Sequence, residues 1–188
     1  MLICNGIILI MQDSKLRAGL KNEAKRLFVD ATYSGRGHME SCSRWQLWNS
    51  RLGIPATILS SFLAGGAAIS ALTEGLPWIT AILAGSAAVL TGLKTYLQPE
   101  KKSQSHGIKG NQYLAIRNLV RIFIEIDLHS NSSSEELIGR IKHLRNQYDE
   151  LQKTDPQLIS RADYKKAKKN IETGESNYTN DPLWKELC

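Results

Sequence analysis

Polar and apolar positions are distributed unevenly along this chain. From residue 52 to residue 93 it reads LGIPATILSSFLAGGAAISAL, then TEG, then LPWITAILAGSAAVLTGL, with Glu74 as the one ionisable side chain between Arg51 and Lys94. The two runs hold about 21 and about 18 residues, close to the ~20 that cross ~30 Å of hydrocarbon in a helix rising ~1.5 Å per residue. Only Thr73-Glu74-Gly75 separates them, so the helices on either side must run antiparallel. The pattern predicts a transmembrane hairpin with helices over about 52–72 and 76–94. A soluble hairpin buried in a core would look similar, but little of the chain remains to wrap two such helices.

Elsewhere the apolar positions recur at helical spacing between charged ones. Leu16, Leu20, Ala24, Leu27, Phe28 and Ala31 form a stripe over about 14–34, with Asp13 or Ser14 as cap, and Gly35 and Gly37 are expected to interrupt or loosen that helix. This basic helix can lie on a membrane or pack against the C-terminal helices, and packing is the favoured reading. Pro55 falls in the first turn or so of the first span, where its missing N–H costs least. Gln98-Pro99-Glu100 ends the second span, and the polar residues 101–111 read as a linker or a loosened helix continuation. A helix over about 112–128 carries Leu114, Leu119, Val120, Phe123 and Ile124 on one face, while Arg117, Arg121, Glu125 and Asp127 keep it from being a third span. Ser133 or Ser134 can cap a helix over about 135–152, with Leu137, Ile141, Leu144, Tyr148 and Leu151 as its stripe. A short helix follows over about 160–172.

The expected fold is all-α: a two-helix transmembrane hairpin with cytoplasmic amphipathic helices before and after it. One domain spans 14–172, and 173–188 is a polar tail. Residues 1–13 stay unassigned. Their apolar run LICNGIILIM is too short to span a membrane and lacks the basic start and small-residue cleavage site of a signal peptide; translation from Met11 or a short interfacial or packing segment accounts for it.

Charge sets the orientation. The chain carries a net charge of +6 and an isoelectric point near 9.3, with a mean hydropathy of −0.27, so it is a polar helical body with one membrane insert. Arg36, Arg44 and Arg51 lead into the hairpin and Lys94, Lys101, Lys102 and Lys109 lead out, while the tip has no Lys or Arg. The positive-inside rule then puts both termini in the cytoplasm. Trp45 and Trp48 before the first run, Trp78 at the tip and Tyr96 after the second are placed as interface anchors, with Arg44, Arg51 and Lys94 beside them. The basic excess suits anionic lipid headgroups; no nucleic-acid-binding motif accompanies it.

No catalytic constellation emerges. Cys4, Cys42 and Cys188 are odd in number and far apart, which argues against a disulfide framework or a zinc site. His38, His106, His129 and His143 have no metal-ligand spacing and read as solvated or loop histidines. Gly35-Arg36-Gly37 lacks the strand and the Gly-Lys-Ser/Thr ending of a phosphate loop, and Lys165-Lys166-Ala167-Lys168-Lys169 reads as a solvated helix face or an anionic-lipid contact. No cofactor is implied. The informative residues are the small ones in the spans: Ser60, Ala64 and Ala68; Ser61 and Gly65; Ala81 and Gly85; Ala84, Ala88 and Gly92, each repeating at four. Such faces let helix backbones approach closely within lipid. There are more of them than one hairpin contact uses, which predicts homo-oligomers. A ring of hairpins could enclose a pore lined by residues such as Thr57, Ser60, Ser61, Ser70, Thr80, Ser86 and Thr91, although Ser and Thr can equally satisfy their own helix carbonyls.

A basic N-terminal helix, a tight hairpin rich in Ala, Gly and Ser, a polar junction, then Tyr113-Leu114-x-Ile116-Arg117, Asp155-Pro156-x-Leu158-Ile159-Ser160 and Tyr164-x-x-Ala167-Lys168 make a familiar order. Over roughly residues 16–171 the chain resembles the SLATT family, two-transmembrane effectors associated with SMODS nucleotidyltransferases and SLOG proteins. The tail segment resembles the subgroup found beside reverse transcriptases. The resemblance implies a multi-pass protein of the prokaryotic inner membrane, an antiviral or conflict effector that forms a pore or disrupts the bilayer when a nucleotide signal or partner activates it. Candidate partners are a nucleotidyltransferase, a SLOG protein or a reverse transcriptase from the same locus. A non-conducting scaffold that recruits a cytosolic partner is the rival reading.

Overall fold

The computed structural model describes the backbone of residues 2–65, 77–154 and 158–173, with side chains over 12–65, 78–154 and 158–173. The end of the expected first span with Ala68 and Ser70, the turn Thr73-Glu74-Gly75 and the tail from residue 174 lie outside the described residues. The described chain is all-α: α1 (Leu2–Ala64), α2 (Pro77–Leu97), α3 (Pro99–Glu125), a 3-10 turn (Asp127–His129), α4 (Ser134–Lys153) and α5 (Arg161–Glu172). It divides into two compact units, Met1–Glu40 with His106–Cys188, and Ser41–Ser105.

The first unit is a helical bundle with one hydrophobic core. Leu20, Ala24, Leu27, Phe28 and Ala31 of α1 meet Tyr113, Ile116, Val120, Phe123 and Ile124 of α3, Leu137, Ile141, Leu144 and Tyr148 of α4, and Ile171 of α5. Burial of each large side chain here contributes roughly 1.5–3 kcal/mol. The basic N-terminal helix therefore packs against the C-terminal helices. Leu16 sits at the edge of its stripe and is exposed, and Leu119 faces solvent rather than the core.

Several expectations are corrected. Gly35 and Gly37 do not interrupt the helix, because α1 runs on through both. Their missing side chains serve close packing. A Cβ on Gly35 would stand 3.0 Å from Leu114 and 3.2 Å from the Gly110 carbonyl oxygen, and a Cβ on Gly37 would stand 2.8 Å from Ile159. Packing of the surrounding helix outweighs a propensity deficit of about 1 kcal/mol per glycine. Pro55 lies inside α1 rather than in its first turn, so the helix forgoes one backbone hydrogen bond there. Of the two readings of 101–111 the helical one holds, since α3 starts at Pro99, and the helix expected over 112–128 stops at Glu125 before the 3-10 turn. Gln98 adopts a left-handed φ of 47°, which ends α2 and lets Pro99 open α3.

Caps follow the local sequence at α4 and α5, whereas Asp13 and Ser14, expected to cap a helix, lie inside α1, which starts at Leu2. Ser133 and Glu136 form a capping box at α4, with the Glu136 amide donating to Ser133 Oγ and the Ser133 amide donating to Glu136 Oε2. Ser160 caps α5 by accepting from the Asp163 amide. Ser134 instead donates to Asp13 of α1 at 2.5 Å. Beside it, the Arg17 guanidinium donates to the carbonyls of Leu128 at 2.8 Å, Ser132 at 3.0 Å and Ser130 at 3.3 Å, while its Nε pairs with Asp13 at 2.9 Å. These contacts tie α1 at Asp13 and Arg17 to the turn before α4 and to Ser134.

Candidate membrane-spanning segment

The second unit carries the apolar residues that define the hairpin expectation. On α1 beyond Arg51, Ile54, Ile58 and Phe62 are at least half exposed, and on α2 so are Trp78, Ile82 and Val89. Among the residues described in this unit, Leu52 and Ala56 of α1 and Ala87 of α2 are the buried hydrophobic ones. Large aliphatic side chains bared this way over whole helix faces are unfavourable in water and ordinary in lipid. Among the described residues, one helical stretch beginning at Trp78 is long and apolar enough to cross a membrane, with a mean hydropathy of 1.3 and almost none of it covered. The first expected span cannot be followed beyond Gly65.

The small residues divide into two groups. On α1, Gly53, Ala56, Thr57, Ser60, Ser61 and Ala64 line an open groove of about 430 Å³ together with Thr91, Lys94 and Thr95 of α2. Lys94 lies over Gly53, its Nζ 3.3 Å from where a Cβ would stand. Thr57 Oγ1 donates to the Gly53 carbonyl at 2.9 Å and Ser61 Oγ to the Thr57 carbonyl at 2.8 Å, so both hydroxyls satisfy their own helix. On α2, Ala81, Gly85, Ala88 and Gly92 are exposed and share one face, and a Cβ on Gly85 or Gly92 would meet nothing within 4 Å. Among the described residues nothing covers that face.

The anchors behave differently from one another. Trp48, Trp78 and Tyr96 are exposed, as is Arg51. Trp45 is half-buried, with Arg44 5.0 Å and Lys102 4.4 Å from its ring centroid, two cation–π contacts of the kind that hold an indole at a charged boundary. Nearby, Ser103 Oγ donates to the Cys42 carbonyl at 3.1 Å.

One expectation about polar groups in the bundle is also corrected. His38 and His106 are not solvated or loop residues. Both are buried within helices, their Nδ1 atoms 2.9 Å apart, and His38 stacks on Tyr113 with ring centroids 5.6 Å apart. Sequence reasoning missed this pair because the partners lie 68 positions apart on different helices. His129 and His143 are exposed, as expected. In the lysine run Lys165, Lys166, Lys168 and Lys169 are exposed, as a solvated face requires, while Ala167 is buried in the bundle and Lys166 also pairs with Glu40 at 2.8 Å. Among the described residues no group of three or more His, Cys, Asp or Glu side chains gathers to hold a metal.

Among the described residues the chain is all-α and holds one bilayer-length apolar helix that is almost uncovered, the features of a helical membrane protein. No curated protein and no solved structure matches the chain. A family model does: the chain belongs to the SMODS and SLOG-associating 2TM effector domain family 4, whose model matches residues 20–182. It is thus a membrane protein with a two-transmembrane effector domain of conflict and defence systems, a type not known for enzymatic activity. The family description names SMODS and SLOG as associates; a reverse transcriptase is not among them.

Proposed function

We propose that the chain is the membrane effector of a prokaryotic antiviral system. Its hairpins associate and either form a pore or disrupt the inner membrane when a partner or a nucleotide signal activates it. The observation that carries this reading is the α2 face of Ala81, Gly85, Ala88 and Gly92, which is exposed among the described residues on a helix that is itself bilayer-length and apolar. Within lipid, such a face gains by close packing against another helix. Both termini sit in the cytoplasm in this reading, supported by the basic residues on each side of the hairpin and by the contacts of Arg44 and Lys102 with the Trp45 ring. The SMODS nucleotidyltransferase or SLOG association in the family description supports a nucleotide signal made or sensed by another protein. A reverse transcriptase from the same locus is an alternative partner, on the strength of the tail segment alone.

The test is direct. Purified protein in liposomes should release a trapped dye once the activating partner or signal is added, and induced co-expression should arrest growth with loss of membrane potential. Protein that stays membrane-bound and oligomeric, yet leaks nothing when activated, would make the chain a non-conducting scaffold. Protein recovered in the high-speed supernatant without detergent would end both readings.

A further inference from the structure

Helix α3 carries two apolar faces, and the bundle covers one of them. Tyr113, Ile116, Val120, Phe123 and Ile124 point into the core. On the outward side Ile108, Leu119, Ile122 and Ile126 are 52%, 47%, 45% and 61% exposed, and Ala115 is exposed with them. The helical register includes Ile126, whose amide donates to the Ile122 carbonyl at 2.8 Å.

The spacing of these positions is regular. Residues 108, 112, 115, 119, 122 and 126 are separated by four, three, four, three and four, the alternation of a coiled-coil seam. Gln112 is its single polar member. Scattered surface hydrophobics need no explanation, and an outward helix face ordinarily carries charge. Five apolar residues on a four-three alternation broken only at Gln112 are neither. Asn111, Asn118 and Glu125, the positions beside the seam on its open side, bring only one charge.

We propose that this seam receives α3 of a second copy of the chain, parallel and in register. The proposal rests on the oligomeric membrane effector argued above and adds a cytoplasmic contact to the one between hairpins. Three observations select a second copy. The seam is periodic in the way that only another helix with the same period can fill. A lone polar residue at one core position meets its own counterpart when two identical helices run in parallel, which is how such residues pin register. The flanks carry no row of like charges to push two copies apart. Size agrees as well: the strip exposes on the order of 400 Å², typical of the largest functional patches on a monomer. That is about half of the ~800 Å² per partner in a stable interface. Alone it would leave a soluble bundle monomeric, whereas copies already confined to one bilayer need less.

Cysteine linking on the full chain in membranes tests this. Cys4 and Cys42 are replaced by serine and Cys188 is kept. Ile122→Cys should form an interchain disulfide on mild oxidation about tenfold more than Arg121→Cys, because only seam positions bring paired Cβ atoms together. A monomeric Ile122→Cys alongside a Gly85→Cys that links overturns the seam and leaves the hairpin oligomer standing. If neither links, both readings fall. An Ile122→Cys that links to Cys188 of its own chain assigns the seam to the C-terminal tail and overturns the proposal. Ile122 is exposed, so the variant should fold; an unchanged melting temperature confirms it.

Discussion

Gly35 of α1 and Gly110 of α3 face each other so closely that a Cβ on either would stand 3.1–3.2 Å from the other's carbonyl oxygen. Neither glycine supplies flexibility. Each removes a side chain so that two helix backbones can touch. Gly139 and Gly19, by contrast, are exposed helical positions where a Cβ meets nothing within 4 Å.

The contrast gives a first prediction. Gly139→Ala and Gly19→Ala should each stabilise the bundle by roughly 0.5–1 kcal/mol through helix propensity. Gly110→Leu should destabilise it by about 1–3 kcal/mol or more, because overpacking forces Met39 and the facing backbone to move. Thermal melting in detergent reads both, with opposite signs for chemically similar changes. If all three shift melting in the same direction, the crossing is not as tight as described.

A second prediction concerns His38 and His106. With Nδ1 atoms 2.9 Å apart, one imidazole must donate and the other accept. His38→Phe keeps the stack on Tyr113 and removes the bond, which should cost about 1–3 kcal/mol because a buried polar atom loses this partner. Replacing both histidines by phenylalanine should cost clearly less than the sum of the two single changes. Denaturant unfolding of the four proteins in the cycle measures the coupling. Strict additivity would mean that the contact carries no energy.

The parts of this architecture that could be read from the sequence are those decided locally or by period. Leu20, Ala24, Leu27, Phe28 and Ala31 recur at helical spacing because one face of α1 is buried, and Ser133 with Glu136 spells a capping box within four residues. What could not be read depends on residues far apart. Gly35 looks like a helix breaker until Gly110, on another helix, is placed against it. The histidines look solvated for the same reason. Leu119 shows the limit of periodicity itself: α3 has two helical stripes, and nothing in the spacing says which one the bundle covers. In the membrane segment the apolar run of α2 was legible. The hydroxyls of Thr57 and Ser61 were ambiguous, because a lining group and a group bonded to its own helix look alike in sequence.

Arg17 supports a third prediction. It gathers three carbonyls of the turn before α4 and the Asp13 carboxylate in one planar fork, a task a lysine cannot repeat. Arg17→Ala should cost about 1–3 kcal/mol, and Arg17→Lys should recover little of it. The hydrogen bond from Ser134, and then the one from Arg17, hold the Asp13 carboxyl below its ordinary range. A carboxyl lowered by folding adds stability above the unfolded value near 3.8 and loses it as pH falls through the lower folded value. Asp13→Asn should therefore narrow the stability difference between neutral and strongly acidic solution, measured by melting across that range.

Tyr148 gives the last prediction, at the opposite end of the pH scale. Its ring sits edge-on to Tyr113, and its hydroxyl lies 3.1 Å from Ser34 Oγ and accepts from Gln152 Nε2 at 3.0 Å. Burial pushes the phenol above its ordinary value of 10.0; Asp30 adds to the rise, while the Ser34 and Gln152 bonds and Arg145 oppose it. The neutral phenol is the form the fold prefers. Stability from this group is present in full below pH 10 and is lost as pH rises through the folded value. Wild-type bundle should thus lose stability steeply above about pH 10, more than exposed tyrosines would account for. Tyr148→Phe should flatten that loss. At neutral pH it should cost only about 0.5–1.5 kcal/mol, the usual worth of the hydroxyl's hydrogen bonds. Melting curves at neutral pH and above pH 10 for the two proteins decide it: equal alkaline losses would mean that Tyr148 ionises as freely in the bundle as in the unfolded chain.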